Sequence, residues 1–285
     1  MELPCDCDGE KYLLANQDQA LSICSTRATS RGRGQRVVSY SLFGSLSDGG
    51  RASYIYEEYV TELLQNVKEK YPSWVMRIYT NYDPDIPDQR EWMCGIQCNQ
   101  SHVDFCFVDR LPQLGNITRV QDQGMTWRFL PGMDPLVDIF VSRDTDSLVT
   151  NREREAVDEW LDSNSMIHAM RDHPHHPWHI LGGMWGAKTI MNRSLMANLT
   201  REMILKTDLQ HGYGFDQEVL RLVHDSYHCT KPEFQGPEYR PFPKQREGGY
   251  FVGWARRFDP AESLVLKFNC TPECRPKDHQ DWVFC

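Results

Sequence analysis

Asp144 and Asp146 are the residues whose type and spacing best suit the capture of a cation. They follow Val137-Asp-Ile-Phe-Val141, a β-branched and aromatic run that reads as a buried strand. The polar Ser142-Arg-Asp-Thr-Asp-Ser147 then marks where the chain leaves the sheet. In an extended segment residues i and i+2 point to one side, so the two carboxylates would face one ligand together. Hard oxygen donors of this kind suit Mg²⁺ or Mn²⁺, which keeps further positions for water or substrate phosphate. The plain structural alternative is an Asp-rich turn after a strand.

A second candidate lies downstream, in Arg171-Asp-His-Pro-His-His-Pro-Trp-His179 and Ile180-Leu-Gly-Gly-Met-Trp-Gly186. This stretch holds too much Gly, Pro and His for regular structure, and a loop is expected. Its histidines invite a zinc reading, but the prolines break any helical i, i+4 register and no cysteine is near. Gly182 and Gly183 can bring bare backbone N–H groups close to a ligand. The alternative is a turn packed on Trp178 and Trp185.

The elements that must position these residues alternate. Val37 to Gly44 reads as a first strand, and Tyr56, Tyr59, Val60, Leu63, Leu64 and Val67 fall on one helical face. Trp74 to Tyr79 and His102 to Val108 read as further strands. After the acidic loop, Thr150-Asn-Arg-Glu153 has capping-box spacing and opens a helix with Ala156, Val157, Trp160 and Leu161 on its apolar face. Met166 to Met170 reads as a strand, residues 189 to 206 as a helix, and Gly212 to Leu220 opens another. This order predicts an α/β fold, a mostly parallel central sheet flanked by helices, with ligands beyond the strands' carboxyl ends. Residues 1–35, with Cys5-Asp-Cys7 and Arg31-Gly-Arg-Gly34, read as a tethered stem or loop. Residues 36–285 read as a single catalytic domain, its Pro-, aromatic- and Cys-rich end a covering segment stapled by disulfides.

With 285 residues, 40% of them hydrophobic, the chain can bury a substantial core. A formal charge of -9 argues against nucleic acid as a partner. No apolar stretch approaches the roughly 18 residues of a membrane span, and Met1 to Glu10 lacks the apolar core of a signal peptide. Yet ten cysteines without a C-x-x-C pair point to disulfides. The sequons at Asn99, Asn116, Asn192, Asn198 and Asn269 exceed the one or so that chance would give, roughly, for this composition. The expectation is the secretory-pathway lumen or secretion, with a signal or anchor cut away or not included. A cytosolic enzyme with free thiols is the alternative.

Several motifs together carry a resemblance: Ser142-Arg-Asp-Thr-Asp-Ser147, the Arg-Glu-x-x-Ala-Val-x-x-Trp helix ending at Trp160, Met170-Arg-Asp-His-Pro174, Gly182-Gly-Met-Trp-Gly186 and His224-Asp-Ser226. Over about residues 36 to 254 the chain resembles a group of GT-A-like, nucleotide-sugar-dependent glycosyltransferases. More distantly, Trp127-Arg-Phe129, the Gly-Gly loop, Asp216-Gln217 and a late His resemble glycogenin-like and lipopolysaccharide galactosyltransferases. The loop sequence Gly-Gly-Met-Trp-Gly departs from those distant relatives, which leaves the donor sugar open.

The resemblance implies a GT-A-like nucleotide-diphospho-sugar transferase fold and roles for particular residues. Asp144, Asp146 and His224 would hold Mn²⁺ or Mg²⁺ against the donor diphosphate. Arg128 and Arg143 are candidates for phosphate or ribose contacts, with salt bridging as the alternative. Ser41 and Phe43 would cradle the nucleoside, though Phe43 suits a core equally. Asp172, Asp216 and Gln217 would face donor-sugar hydroxyls or the acceptor, with helix capping the alternative for Asp216. The implied co-substrate is a nucleotide sugar, the acceptor a glycan or other hydroxyl, and the implied outcome retention of anomeric configuration. The competing readings are an inverting transferase, a non-catalytic carbohydrate-binding or interaction protein, and a metal-dependent phosphotransferase. For the last, no G-x-x-x-x-G-K-[ST] is present.

Overall fold

A computed structural model describes residues 3–5, 7, 20–44, 51–118, 121–172, 178–205, 215–218, 220, 226–228, 239–247, 250–255, 269, 272 and 275–284. The strands are β1 (Gln35–Leu42), β2 (Val75–Thr80), β3 (Val103–Phe107), β4 (Val137–Arg143), β5 (Ile167–Arg171), β6 (Met184–Ala187), β7 (Ser226–His228) and β8 (Tyr239–Arg240). They form one sheet in the order β3-β2-β1-β4-β6-β5-β7-β8, in which only β6 runs against its neighbours. The helices are α1 (Thr26–Ser30), α2 (Arg51–Lys70), α3 (Pro87–Asn99), α4 (Asn151–Asp162), α5 (Arg193–Leu205) and α6 (Phe215–Glu218). A 3-10 segment, Gln121–Met133, leads into β4. The expected mixed α/β architecture, a mostly parallel sheet flanked by helices, is present.

Period-two alternation distributes the core over both faces of the sheet. Val38, Tyr40 and Leu42 of β1, Met76 and Ile78 of β2 and Val141 of β4 pack with Val60, Leu63 and Val67 of α2 and Ala156, Val157 and Trp160 of α4. Val37, Val75, Val137 and Phe140 meet Phe129, Trp185 and the α5 residues Met196 and Met203 on the other side. In the Thr150 cap the side chain accepts from the Glu153 amide at 3.1 Å, as its spacing predicts. The Glu153 carboxylate serves the core instead, accepting from Arg143 Nε at 2.6 Å and from the Tyr71 hydroxyl at 2.8 Å.

Two expectations are corrected by packing. Met184-Trp-Gly-Ala187, read as part of an irregular loop, is the strand β6, wedged between β4 and β5. Gly186 allows it, because a Cβ there would stand 2.5 Å from the Phe140 carbonyl oxygen. Order also begins before Arg36. Ile23, Cys24 and Ala28 are buried, and Cys24 is bonded to Cys106 in β3. Asp134 accepts from Ser22 Oγ at 2.5 Å and from Arg77 Nη1 at 2.7 Å, while Arg77 Nη2 donates to Gln35 Oε1 at 2.7 Å. Buried charge that is paired and hydrogen-bonded in this way fixes the segment to the sheet. Cys5–Cys94 and Cys7–Cys98 hold residues farther upstream to α3. The cysteines at 229, 270, 274 and 285 lie outside the described residues.

Candidate functional site

The chain connects β1 to β2 on one side of the sheet, while β4 lies on the other side of β1. Such a reversal opens a crevice at the carboxyl ends of the two strands, where parallel sheets take ligands. Ser41 and Phe43 mark the end of β1, and Asp144 directly follows β4. Alternation aims these residues: Ser142 shares a face with Phe140, and Ser39 and Ser41 share one with Val37, which packs against the 3-10 segment. The Arg128 backbone N–H of that segment donates to Ser41 Oγ at 3.0 Å, which sets Arg128 at the crevice.

Arg128 joins the site together. Its Nη1 donates to Asp144 Oδ1, and its Nη2 donates to Asp216 Oδ2 at 2.7 Å. The guanidinium is buried, yet the side chain of Asp144 remains 41% exposed. Burial works against the Arg128 charge, but the facing carboxylates of Asp144 and Asp216 outweigh it and raise the pKa. For Asp216, burial raises the pKa, Arg128 opposes that, and the Asp144 charge adds to it. Two acids against one guanidinium leave an excess of negative charge at the mouth of the crevice.

The two glycines fit against these acids. A Cβ on Gly182 would stand 1.8 Å from Asp216 Oδ2 and 2.5 Å from Arg128 Nη2. On Gly183 it would stand 1.9 Å from Asp144 Oδ2. The absence of both side chains therefore lets the carboxylates lie on the loop backbone. Ser142 Oγ donates to the Gly182 carbonyl at 2.6 Å and ties this loop to β4. Ser142 is a residue that sequence reasoning missed, although alternation puts it on the face of Phe140, where it pairs with Ser39, two residues before Ser41.

The crevice brings together Ser41, Arg128, Asp144, Gly182, Gly183 and Asp216, but it does not recruit every residue singled out from the sequence. Asp146 does not continue an extended segment: the Ser147 amide donates to the Asp144 carbonyl at 3.2 Å, so Asp-x-Asp sits in a turn. Arg143 points the other way. Its Nη1 donates to the carbonyls of Ser142 at 2.7 Å and Trp185 at 3.1 Å, while Nε binds Glu153, so it is a core cation rather than a phosphate contact. Asp172 is 2% exposed and is held by Arg152 Nε at 3.1 Å, Arg152 Nη2 at 2.7 Å and the Val252 amide at 2.9 Å. Phe43 is 37% exposed, with its ring edge-on to Trp127 at 5.9 Å. Gln217 is half-buried, and its Oε1 has no hydrogen-bond partner among the described residues. His224 and residues 173–177 lie outside the described residues, and His179 is exposed.

The Asp144 and Asp146 carboxylates are hard oxygen donors of the type a divalent cation takes, on a partly exposed turn. Among the described residues the sulfurs of Cys5, Cys7 and Cys98 also lie close together, but they belong to two adjacent disulfides.

No family model matches the sequence, and no curated protein sequence matches it. Among solved structures, the apo form of the glycosyltransferase GlyE of Streptococcus pneumoniae TIGR4 superposes with a TM-score of 0.42 at 14% identity, over 67% of this chain and 43% of that one. The mannosyltransferase PcManGT of Pyrobaculum calidifontis, solved with GDP-Man and Mn²⁺, superposes with a TM-score of 0.37 at 13% identity, over 68% of this chain and 56% of that one. The matched part is thus about half the length of these proteins.

Proposed function

We propose that this chain is a metal-dependent, GT-A-like glycosyltransferase that moves a hexose from a nucleotide-diphosphate sugar to the hydroxyl of a glycan or other acceptor. The observation that carries this reading is the Arg128 bridge between Asp144 and Asp216, with Gly182 and Gly183 fitted beneath the two carboxylates, at the β1/β4 crevice. Asp144 and Asp146 would hold Mn²⁺ or Mg²⁺, with His224 as a further ligand. When bound, that ion would supply positive charge against the leaving diphosphate.

The protein's own groups account for the rest. Phe43 offers an exposed ring to a nucleobase, and Arg128 adds a fixed cation near the phosphates. Gln217 Oε1 can accept from a donor-sugar hydroxyl, and Asp216, buried beside it, fixes Arg128 and meets the same sugar. In the transfer the acceptor oxygen bonds to the anomeric carbon, the carbon–oxygen bond to the diphosphate breaks, and its electron pair leaves with the nucleoside diphosphate. The acceptor proton passes to the departing diphosphate oxygen. Asp172 is engaged by Arg152 and the Val252 amide, and Asp216 by Arg128, so each candidate base is already held by an arginine. This supports retention, in which no separate base need face the acceptor.

A lumenal or secreted setting belongs to the same reading. Three disulfides join described residues, and disulfides persist in oxidising compartments. All five sequon asparagines are exposed. Among the described residues no helix is long and apolar enough to cross a membrane. The test of function is incubation with a panel of UDP- and GDP-sugars and Mn²⁺, read as nucleoside diphosphate release. Release from one donor supports the reading, and no release from any donor, with and without a mixed glycan acceptor, contradicts it.

A further inference from the structure

A second built feature stands at the same end of the sheet. Residues 251–254 form a turn in which the Trp254 amide donates to the Phe251 carbonyl at 3.1 Å. Gly253 takes φ +72° at the third position, the left-handed geometry that favours glycine there. Its bare Cα rests on Met184, whose sulfur would stand 2.5 Å from a Cβ. Met184 opens β6 beside Gly183 and pairs with Arg143, the residue before Asp144. The turn therefore adjoins the glycine cradle.

Asp172 anchors this turn. Arg152 forks across both oxygens of its carboxylate and the Val252 amide also donates to Oδ2, at 2.9 Å, while Arg246 lies 4.0 Å over the Phe251 ring. Phe251 and Val252 are buried. What the turn presents outward is an aromatic pair: Tyr250, 39% exposed, and Trp254, with ring centroids 4.6 Å apart and planes inclined by 36°. A buried, multiply bonded acid thus fixes a turn that carries two partly exposed rings at the same end of the sheet as the crevice, on the face of Met184 and Arg143.

We propose that Tyr250 and Trp254 form an acceptor platform that stacks on the C–H face of a hexose ring of a glycan. One face of a pyranose carries weakly positive C–H bonds, which meet the negative face of an aromatic ring, while its hydroxyls stay wet at the edge. An aromatic ring that remains half in water binds such a ring without burying an unpaired polar group. The proposal rests on the transferase reading for the word acceptor, but not for the binding itself. Asp172 is accordingly a positioning residue: it shapes the platform through Val252.

The test uses a printed array of hexose-terminated oligosaccharides and, separately, calorimetry with UDP and GDP in Mn²⁺. The wild type should bind a subset of the array, Trp254→Ala and Tyr250→Ala should each weaken it by about tenfold, and Tyr250→Phe should retain it. All three variants should bind nucleotide as the wild type does. Because Trp254 is partly buried, Tyr250→Ala decides wherever Trp254→Ala melts early. Wild-type protein that binds no oligosaccharide, or alanine variants that bind like it, overturns the platform. Glycan binding that depends on the pair, without any nucleotide binding, keeps the platform and overturns the transferase reading.

Discussion

Arg128 Nη2 lies 2.7 Å from Asp216 Oδ2, across 88 residues of sequence, and this contact makes one site of the 3-10 segment before β4 and the short helix α6. The same guanidinium reaches Asp144, so its loss would strand two acids rather than one. Removing one partner of a buried pair costs about 3–5 kcal/mol. Arg128→Ala should therefore lower stability in urea by about that much, and Arg128→Lys by less, because a lysine keeps the charge although it cannot fork to both acids. Equal stability of Arg128→Ala and wild type would remove the bridge from the account.

Gly183→Ala tests the cradle. No positive φ is required at Gly183, so the methyl group acts by displacing Asp144 Oδ2, which it would meet at 1.9 Å. Overpacking costs about 1–3 kcal/mol, but the main effect should be on the site. Mn²⁺-dependent nucleotide binding should weaken at least tenfold, measured by calorimetry at a temperature where the variant is folded.

Asp146→Asn separates function from fold. The residue sits on a turn beyond β4 rather than in the core, so its neutralisation should abolish transfer while leaving the melting temperature within a few degrees. A large fall in the melting temperature of metal-free protein would make Asp146 structural.

His168 provides a pH signature of the core. It is 1% exposed and stacked on Trp160 at 5.1 Å, and burial, helped by the charges of Arg143 and Lys188, lowers its pKa well below 6.5. The folded state thus holds it neutral, and its contribution is complete above the unfolded value. Stability should fall as pH drops below about 6.5, with a slope approaching 1.4 kcal/mol per pH unit from this group. His168→Phe, which keeps the stack, should flatten that slope in urea titrations between pH 5 and pH 7.

Much of the frame was legible because buried strands and amphipathic helices carry their period in the sequence. Val38, Tyr40 and Leu42 announce β1, and Thr150 announces α4. The errors have physical causes. Arg143 looked like a phosphate ligand because it adjoins Asp144, but alternation puts it on the face of Ile139 and Val141, where it meets Glu153 of α4. Gly-rich Gly182 to Gly186 looked like a loop because glycine is the commonest loop signal; at Gly186 it marks close strand packing instead. Residues 1–35 read as a stem because short polar segments hide their partners: Asp134, Cys106 and Asp104, which meet Ser22, Cys24 and Arg31, lie far along the chain. The joining of Arg128 to Asp216 likewise has no local signal, since nothing near Trp127-Arg-Phe129 names a carboxylate 88 residues away.

The central claim is that Asp144 and Asp146 receive a diphosphate through a cation. Two carboxylates repel a diphosphate unless positive charge lies between them, and Arg128 is already engaged by Asp144 and Asp216. Calorimetric titration with UDP and GDP, in Mn²⁺ and in EDTA, measures this directly. The account predicts saturable binding of one of them in Mn²⁺ and at least tenfold weaker binding in EDTA. Equal affinity in the two conditions, or binding of neither nucleotide in Mn²⁺, would contradict it.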